Sequence, residues 1–272
     1  MAAVAAVLLT GCGASAASTV TTSSTGAKAN PVLDAYQATV ADKTASMSLN
    51  ETVTGTPAGP VDISGTGQVD FSTGAAQFTL SVPSTGSFTI RLLKPELYMQ
   101  FPSALDSALP AGKSWLSINL DRLGHSIAGQ SLSQLSNSAD LGTDMLSSLE
   151  GVSASGITTV GPATIDGVQT TEYSATIDLS KIAANDDPEV RAALERLGAN
   201  DHLSSVPVQV WIDAQGQVRQ TAIQESFTVK GVPVEAKVTI GLSDLGTPVD
   251  VVAPPADQTF DFSSISGMLA GA

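Results

Sequence analysis

The sequence of 272 residues contains a single cysteine, Cys12, and only two histidines, His125 and His202. One cysteine cannot form a disulfide within the chain, so packing and hydrogen bonds must hold the fold together. Neither histidine stands near another ligand-type residue at a recognisable spacing, and we therefore expect no metal site. The Gly-x-Ser-x-Gly pattern of serine hydrolases and a phosphate-binding glycine loop are also missing. We expect a binding protein without a cofactor rather than an enzyme.

Basic residues are scarce as well. Lysines and arginines number 12 against 26 aspartates and glutamates, which gives a net charge of −14. An acidic surface of this kind repels phosphate backbones, so we expect no nucleic-acid partner. No apolar run beyond the first residues approaches the roughly 20 residues that a membrane-spanning helix needs. We therefore expect that the body of the protein does not cross a membrane.

The start of the chain is the most specific signal. An apolar run over residues 2–9 leads into Thr10, Gly11 and Cys12, the order of a secretory segment followed by a cleavage site. Leu-Thr-Gly-Cys resembles the lipobox of bacterial lipoproteins, in which the cysteine is acylated and becomes the new N-terminus. We predict a lipoprotein signal segment at 1–11 and lipidation of Cys12, which would anchor an exported protein to the outer face of the cytoplasmic membrane. An incidental cysteine near the chain end is the alternative, and the lack of Lys or Arg before the run leaves open a start upstream of Met1.

Residues 12–30 predict a flexible tether. They include eight serines and threonines and one charged residue, Lys28, with no apolar periodicity. A helix should follow: Asn30 is a plausible N-cap, Pro31 suits the first helical position, and apolar residues recur at helical spacing to about Ser46.

From residue 47 onward the apolar period changes from 3.6 to 2, which predicts a sheet with one apolar and one polar face. We count about eleven antiparallel strands, with Gly65-Thr66-Gly67 as a bend or bulge and Asp166-Gly167 as a hairpin turn. Further helices are predicted within 121–150 and 180–200. The fold class is α+β: a half-open antiparallel barrel whose helices cover the concave face. Residues 251–272 are predicted to be an irregular tail.

A family resemblance rests on the lipobox, the helix before a long meander, and the segments 96–100 (ELYMQ), 115–118 (WLSI), 206–216 (VPVQVWIDAQG) and 238–249 (VTIGLSDLGTPV). Together they resemble the actinobacterial LppX/LprA/LprF/LprG lipoproteins, which are similar in fold to the lipoprotein carriers LolA and LolB. Over residues 31–250 the resemblance implies a LolA-like lipid-binding domain with an apolar cavity for acyl chains. It also implies a role as a carrier or chaperone for envelope lipids or lipoproteins, with an envelope protein as a possible partner.

Strand alternation predicts which side chains would line that cavity. They are the inward-facing positions Phe78, Leu80, Ile90, Leu92, Leu97, Met99, Tyr173, Ile177, Val208, Val210, Ile223, Phe227, Val238 and Ile240. Aromatic residues make up only 4% of the chain, and Val, Ala, Leu and Ile fill a wide curved sheet poorly, which favours a cavity for a lipid or another amphiphile. The alternative is an envelope-anchored structural or sensory domain whose barrel is filled by its own side chains.

Overall fold

The computed structural model describes residues 29–56, 59–83, 85–102, 110, 112–120, 146–178, 205–229, 232–262 and 264. Within these residues the chain forms one α-helix that is described over its whole length and a single sheet of twelve strands. The helices predicted within 180–200 and most of 121–150 lie outside the described residues, so their covering of the concave face stays a prediction.

The helix α1 spans Pro31–Ala41. The Oδ1 atom of Asn30 caps it by accepting a hydrogen bond from the backbone N–H of Leu33 at 3.0 Å. Lys43 adopts a left-handed φ of 70°, which stops the helix several residues before the predicted boundary. Strand pairing begins at Thr44.

The sheet is open and almost entirely antiparallel. Its strands are β1 (Thr44–Thr54), β2 (Val61–Asp70), β3 (Ala75–Val82), β4 (Gly86–Leu93), β5 (Glu96–Gln100), β6 (Trp115–Asn119), β7 (Thr158–Ile165), β8 (Val168–Asp178), β9 (Ser205–Asp213), β10 (Val218–Val229), β11 (Val232–Ser243) and β12 (Thr259–Asp261). Their order across the sheet is β12-β6-β5-β4-β3-β2-β1-β11-β10-β9-β8-β7. The predicted antiparallel architecture is confirmed in outline, but there are twelve strands, and β12 pairs with β6 in parallel.

The register gives the sheet two distinct faces, because residues directly opposite each other on neighbouring strands point to the same side. One row of such partners runs across six strands through Leu80, Gly65, Leu49, Ile240, Thr221 and Val210. We call this side the inner face, since most of its side chains belong to one buried apolar cluster. Serine, threonine and glutamine predominate on the opposite, outer face of β1 to β4.

The sheet also has two ends. At the base end, β1 begins and β2 ends, where Thr44 pairs with Asp70. At the rim end, β1 finishes and β2 starts, where Val53 pairs with Val61. The hairpin between β9 and β10 lies at the base end, and the hairpin between β10 and β11 lies at the rim end.

Helix α1 packs on the inner face and runs from the rim end to the base end. At its C-terminal part, the Thr39 hydroxyl accepts a hydrogen bond from the backbone N–H of Val218 at 2.9 Å, next to the β9–β10 hairpin. At its start, the Asn30 side-chain amide donates to the carbonyl of Val152 at 3.0 Å, and Val152 forms a β-bridge with Ile177 near the end of β8. The helix therefore covers the β8–β10 side of the inner face.

The two glycines predicted to form a bend or bulge instead lie in a regular part of β2, so that prediction is wrong. Gly65 and Gly67 pair in unbroken register with β1 and β3. A Cβ atom on Gly67 would lie 2.4 Å from Cδ1 of Phe78, and one on Gly65 would lie 2.5 Å from Cδ2 of Leu80. The glycines are needed because the side chains of β3 lie against the backbone of β2.

The C-terminal segment differs from the predicted irregular tail. After β11, residues 244–262 pass the base end and cross β4, where the Arg91 guanidinium donates to the carbonyl of Val252 at 3.0 Å, before they reach the edge of the sheet beside β6. The backbone N–H of Ser114 donates to the carbonyl of Gln258 at 3.0 Å, and Phe262 donates to Ser117 at 2.9 Å. A short helical turn at Ala256–Gln258 precedes β12, so the segment adds a strand to the sheet.

Candidate functional site

The candidate site is the inner face, because the sheet brings the predicted cavity residues together there. Eight of them are buried members of one apolar cluster: Ile90, Leu92, Leu97, Met99, Ile177, Val208, Val210 and Ile240. Five more pack against it half-buried: Phe78, Leu80, Tyr173, Ile223 and Val238. Phe227 lies on β10 opposite Val234, and its side chain is outside the described set. Whether this face holds a ligand is a separate question.

Burial along the inner face changes from one end to the other. On β1 the inward side chains go from fully buried Ala45 through Met47 and Leu49 to half-buried Glu51 and Val53. The same change occurs on β3, where Ala76 is 2% exposed while Phe78, Leu80 and Val82 are half-buried. On β11, Leu242 and Ile240 are buried and Val238 and Ala236 are half-buried, but Val234, which is nearer the rim, is buried again. Apart from Val234, inward apolar side chains on this side of the sheet are packed at the base end and partly accessible towards the rim.

The β8–β9 side behaves differently. Val206, Val208 and Val210 are all buried along the length of β9. Helix α1 and the short turn Ser148–Gly151 pack against this part of the sheet, and Val32 and Leu149 are both 0% exposed. The partly accessible region therefore lies mainly on the inner face of β1 to β4 and the adjoining parts of β10 and β11, although Tyr173 on β8 is also half-buried.

Two aromatic rings border that region. Phe88 on β4 and Phe101 just after β5 are both half-buried, with ring centroids 6.2 Å apart and planes at 75°. An edge-to-face pair of this geometry is favourable and keeps both rings in fixed positions. Since Phe88 pairs with Leu80 across the sheet, the rings continue the apolar surface to the edge of the rim end.

Two carboxylates interrupt the apolar surface near the rim. Glu51 lies on the inner face between Ile63 of β2 and Val238 of β11. Glu225 on β10 is opposite Ala236, and both glutamates are half-buried. Carboxylates accept hydrogen bonds and attract cations, so this part of the face suits hydroxyl or ammonium groups better than phosphate.

A small cavity of about 250 Å³ lies at the base end between α1 and the sheet, lined by Tyr36, Val40, Phe71, Ser72 and Leu146. Burial, reinforced by a hydrogen bond to the Glu150 carboxylate, raises the pKa of Tyr36 to about 12. The phenol is therefore neutral at physiological pH and acts as a hydrogen-bond donor to Glu150.

A second cavity, of about 350 Å³, lies under the C-terminal segment at the base end. It is lined by Asp70, Thr73, Ala75, Leu93, Lys94 and residues 249–251. Hydrogen bonds from the hydroxyl and backbone N–H of Ser72 lower the pKa of Asp70, despite some opposing burial, so this carboxylate is ionised at neutral pH. A polar, charged lining of this kind does not resemble the apolar inner face.

Several predicted features cannot be placed. Cys12, His125 and His202 lie outside the described residues. Among the described residues, no group of three or more histidine, cysteine, aspartate or glutamate side chains could hold a metal ion. In the same part of the chain, no helix is both long enough and apolar enough to span a bilayer.

Strand alternation missed part of the site. Val53, Val61 and Ile63 belong to the half-buried region, and continuing the period-two pattern along β1 and β2 would have included them. The two inward glutamates follow from the same pattern, because Glu51 comes two residues after Leu49 and Glu225 two after Ile223. Polar residues are easily overlooked when only apolar positions are counted.

Comparison with known proteins gives the following relationships. No protein-family profile matches the chain. An uncharacterised 31.2 kDa protein of Streptomyces griseus is 29% identical over 188 residues, which are 66% of this chain and 58% of that protein. The chain thus spans less than two thirds of the length of this curated relative.

Solved structures similar to this chain include the two lipoproteins that the sequence resemblance had named. Mycobacterium tuberculosis lipoprotein LppX matches with a TM-score of 0.44 and 16% identity, covering 82% of this chain and all of that one. LprF of Mycobacterium bovis matches with a TM-score of 0.43 and 20% identity, covering 83% and 96% respectively. A LolA-superfamily protein of Nitrosomonas europaea covers 83% and 93%, with a TM-score of 0.28 and 8% identity. LppX and LprF are thus among the solved structures similar to this chain, and function must be argued from the site itself.

Proposed function

We propose that the protein is an exported, membrane-anchored lipoprotein that binds the apolar part of a lipid or another amphiphile on its inner face, as a carrier or chaperone of envelope lipids or lipoproteins. The observation that supports this most directly is the one-sided burial of the inner face. Apolar side chains from β1 to β4 are packed at the base end and half-buried towards the rim, in a surface that Glu51 interrupts.

Covering such a surface is favourable. Each 100 Å² of apolar area removed from water contributes about 2.5 kcal/mol, and each buried methylene of a ligand about 0.8 kcal/mol. An acyl chain laid along Leu80, Ile63 and Val53 would cover side chains that the protein leaves half-buried. The two inward glutamates would disfavour an anionic head group nearby, so we propose a ligand with a neutral or cationic head.

A second candidate is a structural or sensory domain without a ligand. The burial of the inward side chains near the base end, such as Ala45, Met47 and Ala76, and of Val206, Val208 and Val210 on β9 favours it, because these positions are covered by the protein's own side chains. The two functions differ in what they require of the half-buried region. A carrier needs free volume next to the half-buried side chains, whereas a self-filled domain needs other side chains of the protein to pack against them.

Two matched substitutions separate the candidates. Val238 is half-buried and Val210 is fully buried, and both point to the inner face. In a carrier, Val238→Trp should change the free energy of unfolding by less than about 1 kcal/mol and should displace the ligand. Val210→Trp should lower that free energy by about 1–3 kcal/mol in either case, through overpacking.

The measurement is native mass spectrometry with solvent extraction of protein lacking residues 1–12, purified from a host that contains lipids. Co-purifying lipid in the wild type and its loss in Val238→Trp support the carrier. Absence of lipid from the wild type, with Val238→Trp as destabilising as Val210→Trp, would favour the filled domain. Refolding with diacylglycerol in one arm and phosphatidylglycerol in another tests the head-group preference.

A further inference from the structure

We propose that Glu51 and Glu225 determine the specificity of the inner face, and that they select an amphiphile whose head group carries a protonated amine. This inference rests on the proposed function, because it takes the inner face as a surface that binds amphiphiles. It goes beyond that function by choosing a cationic over a neutral head group and by naming the two side chains that recognise it.

Glu51 lies among apolar side chains. Its neighbours on the same face of β1 are Leu49 and Val53, and the residues directly opposite it are Ile63 on β2 and Val238 on β11. The glutamate is half-buried, as are Val53, Ile63 and Val238. An apolar chain that covered these side chains would therefore also remove water from beside the Glu51 carboxylate.

Glu225 lies on the other side of β11 from Glu51 and is half-buried as well. It is opposite Ala236, whereas Glu51 is opposite Val238, so one two-residue step along β11 separates the two positions. With strands about 4.8 Å apart and about 6.8 Å between residues i and i+2, the Cα atoms of the two glutamates are roughly 12 Å apart. A small cationic group above Ala236 and Val238 would therefore lie between the two carboxylates.

Neither carboxylate has a partner within the described part of the chain. No hydrogen bond or ion pair among those residues involves Glu51 or Glu225. Lys237 pairs with Thr52, the residue after Glu51, but as the neighbour of Val238 it points to the outer face. A carboxylate that loses water without gaining a partner is costly, so a ligand that covers this region must supply one.

A protonated amine meets this requirement better than the other common head groups. A hydroxyl group donates a hydrogen bond, but it leaves the negative charge of the two carboxylates uncompensated. An ammonium group donates several hydrogen bonds and also brings the opposite charge, whose attraction is stronger in a half-buried site than in bulk water. A phosphate or carboxylate head would be repelled. The two glutamates therefore favour an amine.

The apolar chain of such a ligand has a path that leads away from Glu51. The half-buried side chains of Ile63 on β2, Leu80 on β3 and Phe88 on β4 follow one another across the sheet. Phe88 pairs with Leu80 and Leu80 with Gly65, which places Leu80 beside Ile63. Three spacings between strands separate Glu51 from Phe88, a distance of about 14 Å. The carboxylate and the apolar path together suit an amphiphile with one polar end.

The test compares three head groups on one apolar chain. Dodecylammonium, dodecyl maltoside and dodecanoate carry a cationic, a neutral and an anionic head group on the same dodecyl chain. Isothermal titration calorimetry of the full chain, with each probe below its critical micelle concentration, measures the affinities. We expect dodecylammonium to bind at least about 10-fold more tightly than dodecanoate, with the maltoside between them.

The outcomes separate the inference from the function on which it rests. If dodecanoate or the maltoside binds as tightly as dodecylammonium, the inference is overturned and the proposed function stands. If none of the three probes binds, the proposed function itself is refuted, and the inference with it.

Three substitutions by glutamine test the role of the carboxylates. Glu51→Gln should weaken dodecylammonium binding about 10-fold, and Glu225→Gln should weaken it too. Glu235→Gln is the matched control, because Glu235 is exposed on the outer face of β11 next to Ala236 and its loss changes the net charge by the same amount. The affinity of this control should differ from the wild type by less than about 2-fold. An equal loss in Glu235→Gln and Glu51→Gln would show that the amine responds only to net charge and would overturn the inference.

Val238→Trp tests whether the amine lies between the two glutamates. Val238 is opposite Glu51 and two residues from Ala236 on the same face, so an indole there should weaken the binding of dodecylammonium and of the maltoside. Unchanged amine binding in this variant would mean that the amine binds elsewhere, and the inference would be wrong. Circular dichroism with thermal melting shows whether each variant is folded, and the glutamine variants keep the test valid if Val238→Trp does not fold.

Discussion

Asp213 offers a sharp test of how the base end is held together. Its side chain is 0% exposed and its Oδ2 atom lies 2.6 Å from Nε of Arg219, which is 19% exposed. Its Oδ1 atom accepts hydrogen bonds from the backbone N–H groups of Gln215 and Gln217, both at 2.9 Å. Gln217 in turn donates to Asp42 at the end of α1, so one buried carboxylate organises the hairpin on which the helix docks.

The expected loss of stability can be estimated from the groups that Asp213→Ala would leave without a partner. Removing one partner of a buried ion pair typically costs about 3–5 kcal/mol, because the other charge stays buried without compensation. Two backbone N–H groups would also lose their acceptor. We therefore expect Asp213→Ala to lower the free energy of unfolding by about 3–5 kcal/mol. Asp213→Asn keeps an acceptor for both N–H groups and should cost roughly half as much.

Urea unfolding followed by circular dichroism measures these differences, with a constant m-value showing that the variants unfold comparably. Asp62→Ala is the matched control, because this aspartate is exposed and accepts a hydrogen bond from the Thr52 hydroxyl at 2.8 Å. It should lower the free energy of unfolding by about 0.5 kcal/mol or less. Arg219→Met added to Asp213→Ala should recover stability. A loss below about 1 kcal/mol for Asp213→Ala, or no recovery in the double variant, would refute the ion-pair reasoning.

Three further predictions concern the helix, the glycines and the anchor. The pKa of Tyr36 is about 12 in the folded protein and about 10 in an unfolded chain, so the free energy of unfolding should fall as the pH rises from about 10 to 12. The melting temperature of Tyr36→Phe should not show this part of the pH dependence. Gly67→Ala should destabilise by about 1–3 kcal/mol in urea unfolding and Gly65→Ala by less, because the new Cβ meets the Gln77 carbonyl oxygen at 2.4 Å in the first case and the flexible end of Leu80 in the second. Cys12→Ala should move the folded protein from the membrane to the soluble fraction and abolish labelling by fatty acid; unchanged membrane retention, with no label on the wild type, would remove the lipoprotein proposal.

The inner face could be predicted from sequence because the side-chain period of a strand is two. Once Phe78, Leu80, Ile90 and Leu92 are assigned to strands, their common side follows, and the register confirms it through the Phe78–Ile90 pair. The helix start was predictable for a similar reason, since the Asn30 cap is local chemistry.

Burial along that face could not be predicted. Val208 and Val238 lie in one row across the sheet, each opposite Ile223, yet Val208 is buried and Val238 half-buried. The difference comes from α1, whose contacts with β9 and β10 join residues more than 160 positions apart in the sequence. No local pattern encodes which side of a sheet a distant helix will cover.

Strand β12 was missed because it has no periodic signal. Three residues are too few to show alternation, and the strand exists because backbone groups on either side of it bond to the edge of β6. The donors and acceptors involved, such as the N–H of Ser114 and the carbonyl of Gln258, are present in every residue except the N–H of proline. Sequence therefore gives no means to distinguish this segment from an irregular tail.

The glycines of β2 determine how two large side chains of β3 lie on the inner face. At Gly67 the Phe78 ring occupies the place of a Cβ atom, so the ring lies along the sheet instead of standing up into the interior. Leu80 does the same over Gly65. Two large side chains are thereby laid flat over a strand that contributes no side chain of its own at these positions. Since Glu51 beside them avoids an apolar interior unless it is paired, a ligand that covered this part of the inner face would have to supply a hydrogen-bond donor or a cation to that carboxylate.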